Sequence, residues 1–205
     1  DCTSAIMPYY TISYGIDPSG RNVGNSYSGY IINDLLRDKY GYDGVVCTDW
    51  AITHDYQKVE DATGKCWGYE NATEAERHFA VLEAGVDQFG GNNAKQPVLD
   101  AYCLWVEKYG EVSAQERFRK SARRLLMNMF RTGLFDNPYV DPARTEKLVG
   151  CPEFMARGFN AQLRSVVMVK NRNAVLPQPA RAKVWFPQIH KLPSKGFFGN
   201  ANGDD

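Results

Sequence analysis

The sequence feature that most constrains the fold is a short apolar run at residues 45–47, which follows a glycine-containing turn. β-Branched residues in an uninterrupted run are typical of a strand that is covered on both faces, as in a parallel sheet. Asp49 and Trp50 lie where this strand would emerge. Because α/β barrels carry their chemistry at the carboxyl ends of the strands, these two residues are candidates for a functional site.

A carboxylate beside a large flat ring suits the cleavage of a sugar. The charge serves an oxocarbenium-like carbon, and the ring offers a surface on which a pyranose can stack. The structural alternative is that Asp49 caps the turn or helix that follows the strand, because aspartate favours such positions. The residue types alone leave both interpretations open.

Predicted strands and helices alternate over the first part of the chain. Strands are expected at residues 5–7, 44–47 and 86–89, and helical periodicity follows each of them. This alternation is typical of a parallel α/β architecture. A (β/α)8 barrel takes about 250 residues, more than three strand–helix units supply. Residues 1–137 are therefore predicted to form the C-terminal portion of a (β/α)8 barrel.

Residues that can cap helices mark several of the expected helix starts. Ser26 precedes the first helix, and the pairs Thr73–Glu76 and Ser113–Glu116 have the spacing of a capping box. The expected helices of this part cover residues 26–40, 73–83, 97–109 and 113–132.

The character of the sequence changes from Pro138 onward. Residues 137–142 are rich in turn-forming types, which indicates an exit from the first domain. A helix is expected at about 152–169 and a strand at 183–186, followed by a glycine- and asparagine-rich tail that reads as a loop. Residues 138–205 are therefore predicted to be a linker and the start of a second domain.

Several motifs together indicate a family. The segment Gly-Tyr-Asp-Gly-Val-Val-Cys-Thr-Asp-Trp at 41–50 resembles the nucleophile motif of glycoside hydrolase family 3, roughly Gly-Phe-Asp-Gly-Val-Val-Val-Ser-Asp-Trp, with Thr48 in the place of the usual serine. Four more segments resemble family motifs in the family's order: Ile-Met-Pro-Tyr-Tyr at 6–10, Ala-Gly-Val-Asp at 84–87, the stretch 121–142 with Gly-Leu-Phe-Asp-Asn-Pro-Tyr, and Gln-Leu-Arg-Ser-Val-Val-Met-Val-Lys-Asn at 162–171.

The resemblance implies an activity and assigns roles to residues. It implies a retaining, exo-acting glycosidase of the β-glucosidase or β-xylosidase type, which needs no cofactor and acts on an oligosaccharide or β-glucoside. Asp49 matches the family's nucleophile, and Tyr10 and Trp50 are expected to contact the sugar. The second domain is expected to be an α/β sandwich. An enzyme that degrades polysaccharides in this way is expected to be periplasmic or secreted.

The resemblance also implies that this chain acts as part of a larger enzyme. In the family, basic sugar-binding motifs lie on earlier barrel strands, and the acid/base glutamate of the β-glucosidases lies later in the second domain. The remainder of the barrel and of the second domain are therefore expected partners. Within this chain, Glu70 is the best local alternative for the acid/base, because it is predicted to lie in a loop on the catalytic side. The alternative function is a non-catalytic, carbohydrate-binding module that lacks the acid/base.

Composition excludes other classes of function. The formal net charge is zero, whereas a nucleic-acid partner normally requires a basic patch. No apolar run approaches the roughly 20 residues of a membrane span. The five cysteines contain no Cys-x-x-Cys pair, and the three histidines are scattered, so no metal site is expected.

Overall fold

The computed structural model describes residues 3–54, 65–185 and 187–188, together with two short strands in the tail. The chain divides into two compact units, Asp1–Val140 and Asp141–Asp205. The division falls near the predicted boundary between residues 137 and 138. The assignment of the two parts to a barrel and a sandwich domain stays a prediction.

Parallel pairing organises the first unit. Strand β1 (Ala5–Ile6) pairs in parallel with strand β2 (Val45–Val46), and Cys47 forms a parallel bridge with Gln88. The predicted strands at 5–7 and 44–47 are confirmed in shortened form, while the strand expected at 86–89 is reduced to this single bridge. Parallel segments in this order bring their carboxyl ends to one edge, here called the catalytic edge.

The helix between β1 and β2 begins later than predicted. Ser26 lies in the 3-10 turn Asn25–Tyr27, and a π-helix then covers Tyr30–Lys39. The prediction of Ser26 as the cap is wrong, because the extra turn moves the helix start past it. The Ser28 hydroxyl instead accepts a hydrogen bond from the Ile31 backbone N–H (3.3 Å).

One of the two predicted capping boxes is confirmed. Helix α1 (Glu74–Glu83) begins after Thr73, whose hydroxyl accepts from the Glu76 backbone N–H while the Glu76 carboxylate accepts from the Thr73 backbone N–H. This satisfies two donors that would otherwise have no partner at the start of the helix.

The second predicted box is wrong. Helix α2 (Lys95–Tyr109) is followed directly by helix α3 (Glu111–Arg131), with only Gly110 between them. Gly110 has a φ of +86°, which a glycine adopts without strain, so α3 starts before Ser113. The Ser113 hydroxyl instead accepts from the indole N–H of Trp105 (3.1 Å) and fastens α3 to α2.

An apolar cluster of the described residues joins β2 to the π-helix Tyr30–Lys39 and to α1. Burial of these side chains supplies the driving force that holds these elements together. The cluster contains Val23, Tyr27, Ile32, Val46, Ile52, Cys66, Ala80, Val81, Ala84 and Val86.

The second unit is helical, with one small antiparallel pair of strands. Helix α4 (Pro142–Leu148) is capped by Asp141, and helix α5 (Pro152–Ser165) ends earlier than the predicted residue 169. Residues 183–185 of the predicted strand 183–186 are not in a strand, and Trp185 is 83% exposed. Strands β3 (Ser194–Lys195) and β4 (Ala201–Asn202) pair instead, the latter within the tail predicted to be a loop.

Candidate active site

Asp49 lies at the catalytic edge, three residues after the last residue of β2. The preceding residue is fixed on both sides: the Thr48 backbone N–H donates to the Gln88 carbonyl (2.9 Å), and its hydroxyl accepts from the Gly90 backbone N–H (2.8 Å). The Asp49 side chain is half-buried, and its Oδ1 accepts from the Trp50 backbone N–H (2.7 Å). The carboxylate is therefore oriented by its neighbour while part of it stays in contact with solvent.

Threonine in the place of the family's serine keeps the polar contact of this position. The Thr48 side chain is buried, and its hydroxyl makes the hydrogen bond to Gly90 that a serine hydroxyl could also make. The additional methyl group is accommodated in the interior. The departure from the family motif therefore leaves the anchoring of Asp49 intact.

Trp50 presents its ring to solvent beside Asp49. The side chain is 57% exposed, although the ring lies close to Gly91 on one side. An exposed indole that is supported from behind can serve as a stacking surface for a sugar. The structure thus places this predicted residue next to Asp49 in an accessible position.

Tyr10 follows β1 and is also on the catalytic edge. Its ring packs partly against the apolar cluster, and its hydroxyl lies 3.4 Å from Lys65 Nζ. The same ammonium group lies 4.5 Å from the centre of the Tyr10 ring, within the range of a cation–π contact. The Lys65 ammonium group therefore lies beside the Tyr10 hydroxyl, a contact that the sequence did not predict.

Glu70, the local candidate for the acid/base, has an exposed side chain. Its Oε1 accepts from the Gly68 backbone N–H (2.9 Å). This hydrogen bond holds the pKa of the Glu70 carboxyl below its usual value, whereas a general acid that works near neutral pH has a raised pKa. The role of Glu70 as acid/base stays a prediction.

Two histidines that appeared scattered in the sequence converge behind the catalytic edge. His54 Nδ1 lies 3.4 Å from Glu74 Oε1, and His78 Nδ1 lies 2.7 Å from the Glu74 carbonyl oxygen. Asn92 Nδ2 then bridges His78 Nε2 (3.3 Å) to the Thr53 hydroxyl (3.1 Å). Burial lowers the pKa of His78 and favours its neutral form.

The order of the predicted strands and loops could have predicted this cluster. Residues after β2 and after the Cys47–Gln88 bridge must meet at one edge of a parallel sheet.

Of the residues that the structure describes, no group of three or more histidine, cysteine or acidic side chains could hold a metal ion. Nor does any helix in the described ranges have the length and hydropathy to span a membrane.

Two clefts lie away from Asp49. A cleft of about 850 Å³ is lined by residues that precede the strands, such as Ser4 and Gly44, and by Arg123 and Arg131 of α3. A second cleft of about 580 Å³ is lined by Arg37, Arg117 and their neighbours. Neither cleft is lined by the residues predicted for the site, Tyr10, Asp49, Trp50 and Glu70.

A buried ion cluster lies beside the second cleft. Asp87 accepts charged hydrogen bonds from Arg37 (2.7 Å) and Arg124 (3.1 Å), with Arg117 at 3.7 Å and the Ser121 hydroxyl at 2.7 Å. Asp87 is the last residue of the Ala-Gly-Val-Asp segment, and these contacts give its side chain a structural role.

Known proteins resemble this chain over most of its length. A protein named probable β-glucosidase C, from Aspergillus flavus, is 38% identical over 173 residues, which cover 84% of this chain and 26% of that protein. A periplasmic β-glucosidase/β-xylosidase from Dickeya chrysanthemi is 33% identical over 199 residues, which cover 91% of this chain and 29% of that protein. No protein-family model matches the chain.

Solved structures share the fold. A β-glucosidase involved in saponin metabolism, from intestinal bacteria, superposes with a TM-score of 0.52 at 18% identity, over 75% of this chain and 18% of that chain. A β-glucoside phosphorylase superposes with a TM-score of 0.54 at 16% identity, over 85% and 30% of the two chains. The chain thus spans between a quarter and a third of the length of the two curated relatives (26% and 29%).

Proposed function

Because the chain belongs to glycoside hydrolase family 3 over the segment it shares with the β-glucosidases, we propose that it carries the nucleophile of a retaining, exo-acting glycosidase of the β-glucosidase or β-xylosidase type. The substrate is an oligosaccharide or β-glucoside from which a terminal β-linked sugar is removed. Asp49 forms the covalent glycosyl-enzyme.

The observation that carries this proposal is the position of the Asp49 carboxylate. It follows a buried parallel strand, lies on the catalytic edge, and is half-buried beside an exposed indole. The Trp50 backbone N–H fixes Oδ1, so the other oxygen is the one available to attack a sugar. A carboxylate that only capped a turn would not need an exposed aromatic surface beside it.

The reaction that follows has two displacements. Asp49 attacks the anomeric carbon while the glycosidic oxygen leaves with a proton from a general acid, and water then displaces the carboxylate with net retention of configuration. The general acid must lie about 5–5.5 Å from the nucleophile. Since the pKa of Glu70 is lowered, we assign the general acid to the remainder of the protein.

Tyr10 and Trp50 complete this part of the sugar site. Trp50 supplies the stacking surface, and the hydroxyl of Tyr10, with Lys65 beside it, is a polar contact for the sugar. Hydrogen bonds to sugar hydroxyls that strengthen in the transition state add to the rate of such enzymes.

For the fold, we propose that β1, β2 and the segment around Gln88 are three consecutive strands of a (β/α)8 barrel, followed by the beginning of an α/β sandwich domain. Their parallel order and intervening helices support this arrangement. Met7, at the end of β1, is 51% exposed, which suits a surface that the rest of a barrel would cover. A periplasmic or secreted location fits the name of the Dickeya relative.

The Asp49→Gly variant tests the proposed function. It is made in the full protein, together with any sequence that adjoins residues 1–205. Turnover of an aryl β-glucoside should be abolished, and azide should restore part of it, because a small anion fits the cavity left by the side chain. The rescued product should have inverted configuration, since one displacement replaces two.

Asp141→Gly provides the matched control. Asp141 is an aspartate whose carboxylate does cap a helix, since it accepts from the backbone N–H groups of Ala143 and Arg144. Its loss should cost only about a few tenths of a kcal/mol of stability, because glycine is itself tolerated at a helix cap, and leave turnover per folded molecule unchanged. If Asp49→Gly behaves like this control, Asp49 is a cap and the proposal is wrong. Sugar binding by the unmodified full protein without any turnover would support the non-catalytic, carbohydrate-binding alternative.

A further inference from the structure

The segment that faces the nucleophile from the neighbouring strand is the dipeptide Gly90–Gly91, here called the diglycine turn. We infer that the diglycine turn is the positioning element of the site: Gly90 fixes the backbone that carries Asp49, and Gly91 fixes the ring of Trp50. This inference rests on the proposed function for its kinetic consequences, but its structural part can be tested without any turnover.

Hydrogen bonds tie the diglycine turn to the loop that bears the nucleophile. The Gly90 backbone N–H donates to the Thr48 hydroxyl (2.8 Å), and the Gly90 carbonyl accepts from the Ala51 backbone N–H (2.9 Å). His54 Nε2 lies 3.3 Å from the Gly91 carbonyl oxygen. Contacts thus reach the turn from residues before and after Asp49, so that a shift of the turn would move the nucleophile.

The close approach of the two segments explains why both positions are glycine. A Cβ on Gly90 would lie 2.4 Å from the Thr48 carbonyl oxygen, 3.0 Å from Cε3 of Trp50 and 3.2 Å from the Asp49 carbonyl oxygen. The nearest of these is a backbone atom, which cannot give way without moving the chain at the nucleophile. Gly90 therefore allows the sheet edge and the Asp49 loop to lie in direct contact.

Gly91 has a different neighbour. A Cβ there would lie 2.5 Å from Cδ1 and 2.8 Å from Cγ of Trp50, and the residue has a φ of +64°. The bare glycine is thus a flat support behind the indole. Any side chain would push the ring away from its present orientation, although the backbone of Asp49 is not among the nearest atoms.

These two geometries predict a division of kinetic effects between neighbouring residues. Gly90→Ala should mainly lower kcat, by up to about 100-fold, because a displacement of about 1 Å at a catalytic group can cost that much. Gly91→Ala should mainly raise the KM for 4-nitrophenyl β-glucoside, by about two- to tenfold, the worth of an aromatic contact. The inhibition constant of gluconolactone should rise by the same factor as that KM.

Gly41→Ala is the matched control for Gly91→Ala. Gly41 has a φ of +65°, so an alanine there suffers the same backbone strain, but no atom lies within 4 Å of its added Cβ. It ends the helix Tyr30–Lys39, away from the catalytic edge. Gly41→Ala should lower the melting temperature while leaving KM and kcat per folded molecule within twofold.

A rescue experiment separates this inference from the proposed function, because it reads only thermal stability. Trp50→Ala removes the ring that a Cβ at position 91 would strike. Gly91→Ala should therefore lower the melting temperature by several degrees less in the Trp50→Ala background than in the unchanged protein. Gly90→Ala should be rescued much less in that background, because its nearest contact, at 2.4 Å, is the Thr48 carbonyl oxygen, and Trp50 Cε3 is farther away at 3.0 Å.

The outcomes are distinct. A larger rescue of Gly91→Ala than of Gly90→Ala by Trp50→Ala, with the predicted split of KM and kcat, supports the inference. Equal melting shifts for Gly91→Ala in both backgrounds, or a KM change as large for Gly41→Ala as for Gly91→Ala, would overturn it. If Asp49→Gly retains turnover, the proposed function fails, whereas the melting cycle still decides whether the diglycine turn positions Trp50.

Discussion

Two aspartates of neighbouring parallel segments have opposite environments. Asp87 is buried, receives hydrogen bonds from Arg37 and Arg124, and has a third arginine nearby. Asp49 is half-buried, and the hydrogen bond given to it within the described residues comes from the adjacent backbone N–H. The first carboxylate is committed to holding the fold, while the second keeps an oxygen available for chemistry.

The residues that stabilise the sheet and the residue proposed to react lie at opposite ends of its strands. Arg37, which pairs with Asp87, also donates to backbone carbonyls near the amino ends of the strands, those of Gly44 (2.7 Å) and Gly85 (3.0 Å). Burial lowers the pKa of Arg117 to about 10, with the neighbouring Arg124 and Arg37 charges adding to the decrease and Asp87 opposing it. Because the ion pairs that stabilise the fold lie at this end of the strands, the side chains at the catalytic edge are not required for that role.

The largest expected effect is on turnover at Asp49. Asp49→Asn should lower kcat of the full protein by about 10⁴-fold or more, because the amide cannot form the glycosyl-enzyme. Its free energy of unfolding should change by less than about 1 kcal/mol, since the side chain keeps an oxygen for the Trp50 N–H. Steady-state kinetics and chemical denaturation of the same preparation would measure kcat and the free energy of unfolding. A large loss of stability together with the loss of turnover would contradict the contrast between the two aspartates.

Asp87→Asn should show the reverse. Removal of the carboxylate leaves buried arginine charges without their counter-ion, which costs about 3–5 kcal/mol of stability. Turnover per folded molecule should remain close to that of the unchanged protein. Denaturation with urea, together with active-site titration, tests this; a stable Asp87→Asn protein that has lost its turnover would reverse the roles assigned to the two ends.

His78 provides a pH test of the catalytic edge. Its pKa in the folded state is lowered from an ordinary value of 6.5 by burial, so the unfolded chain binds the proton more readily. Stability should therefore be fully present above about pH 6.5 and decrease as the pH falls toward the folded-state pKa, by at most about 1.4 kcal/mol per pH unit for this one group. His78→Gln should make the decrease between pH 7 and 5 shallower, and an unchanged slope would show that His78 does not contribute.

The smallest expected effect is at the capping box of α1. Thr73→Ala should lower the free energy of unfolding by about 1 kcal/mol, because the Glu76 backbone N–H loses its acceptor. Turnover should not change beyond the loss of folded protein. A large change in KM for this variant would indicate that the loop before α1, and not only the Asp49 loop, takes part in substrate binding.

The elements that the sequence predicted correctly depend on local chemistry. The apolar run at 44–47 and the Thr73–Glu76 box each carry enough information in a few residues to specify a buried strand or a helix start. The predictions for Ser26 and Ser113 failed because other residues determine those starts: a 3-10 turn precedes one helix, and Gly110 lets the other begin at once. A capping residue is only a candidate until the backbone around it is known.

The candidate site shows a similar limit. Asp49 could be identified from its motif, but its support by the diglycine turn could not, because the two segments lie about 40 residues apart in sequence and meet only through parallel pairing. The lowered pKa of Glu70 likewise arises from contacts, first of all with the Gly68 N–H, that no residue pattern encodes. The motif points to Asp49 as the proposed nucleophile, and the tertiary contacts define its surroundings.

The most direct measurement of the central claim is covalent trapping of the nucleophile. The full protein would be incubated with a 2-deoxy-2-fluoro-β-glucoside that carries a good leaving group, digested with trypsin, and analysed by tandem mass spectrometry. We expect one added fluorosugar on the peptide of residues 40–58, with fragment ions that place it on Asp49 and not on Asp43 or Asp55. A label on any other carboxylate of an active, inhibited enzyme would contradict it.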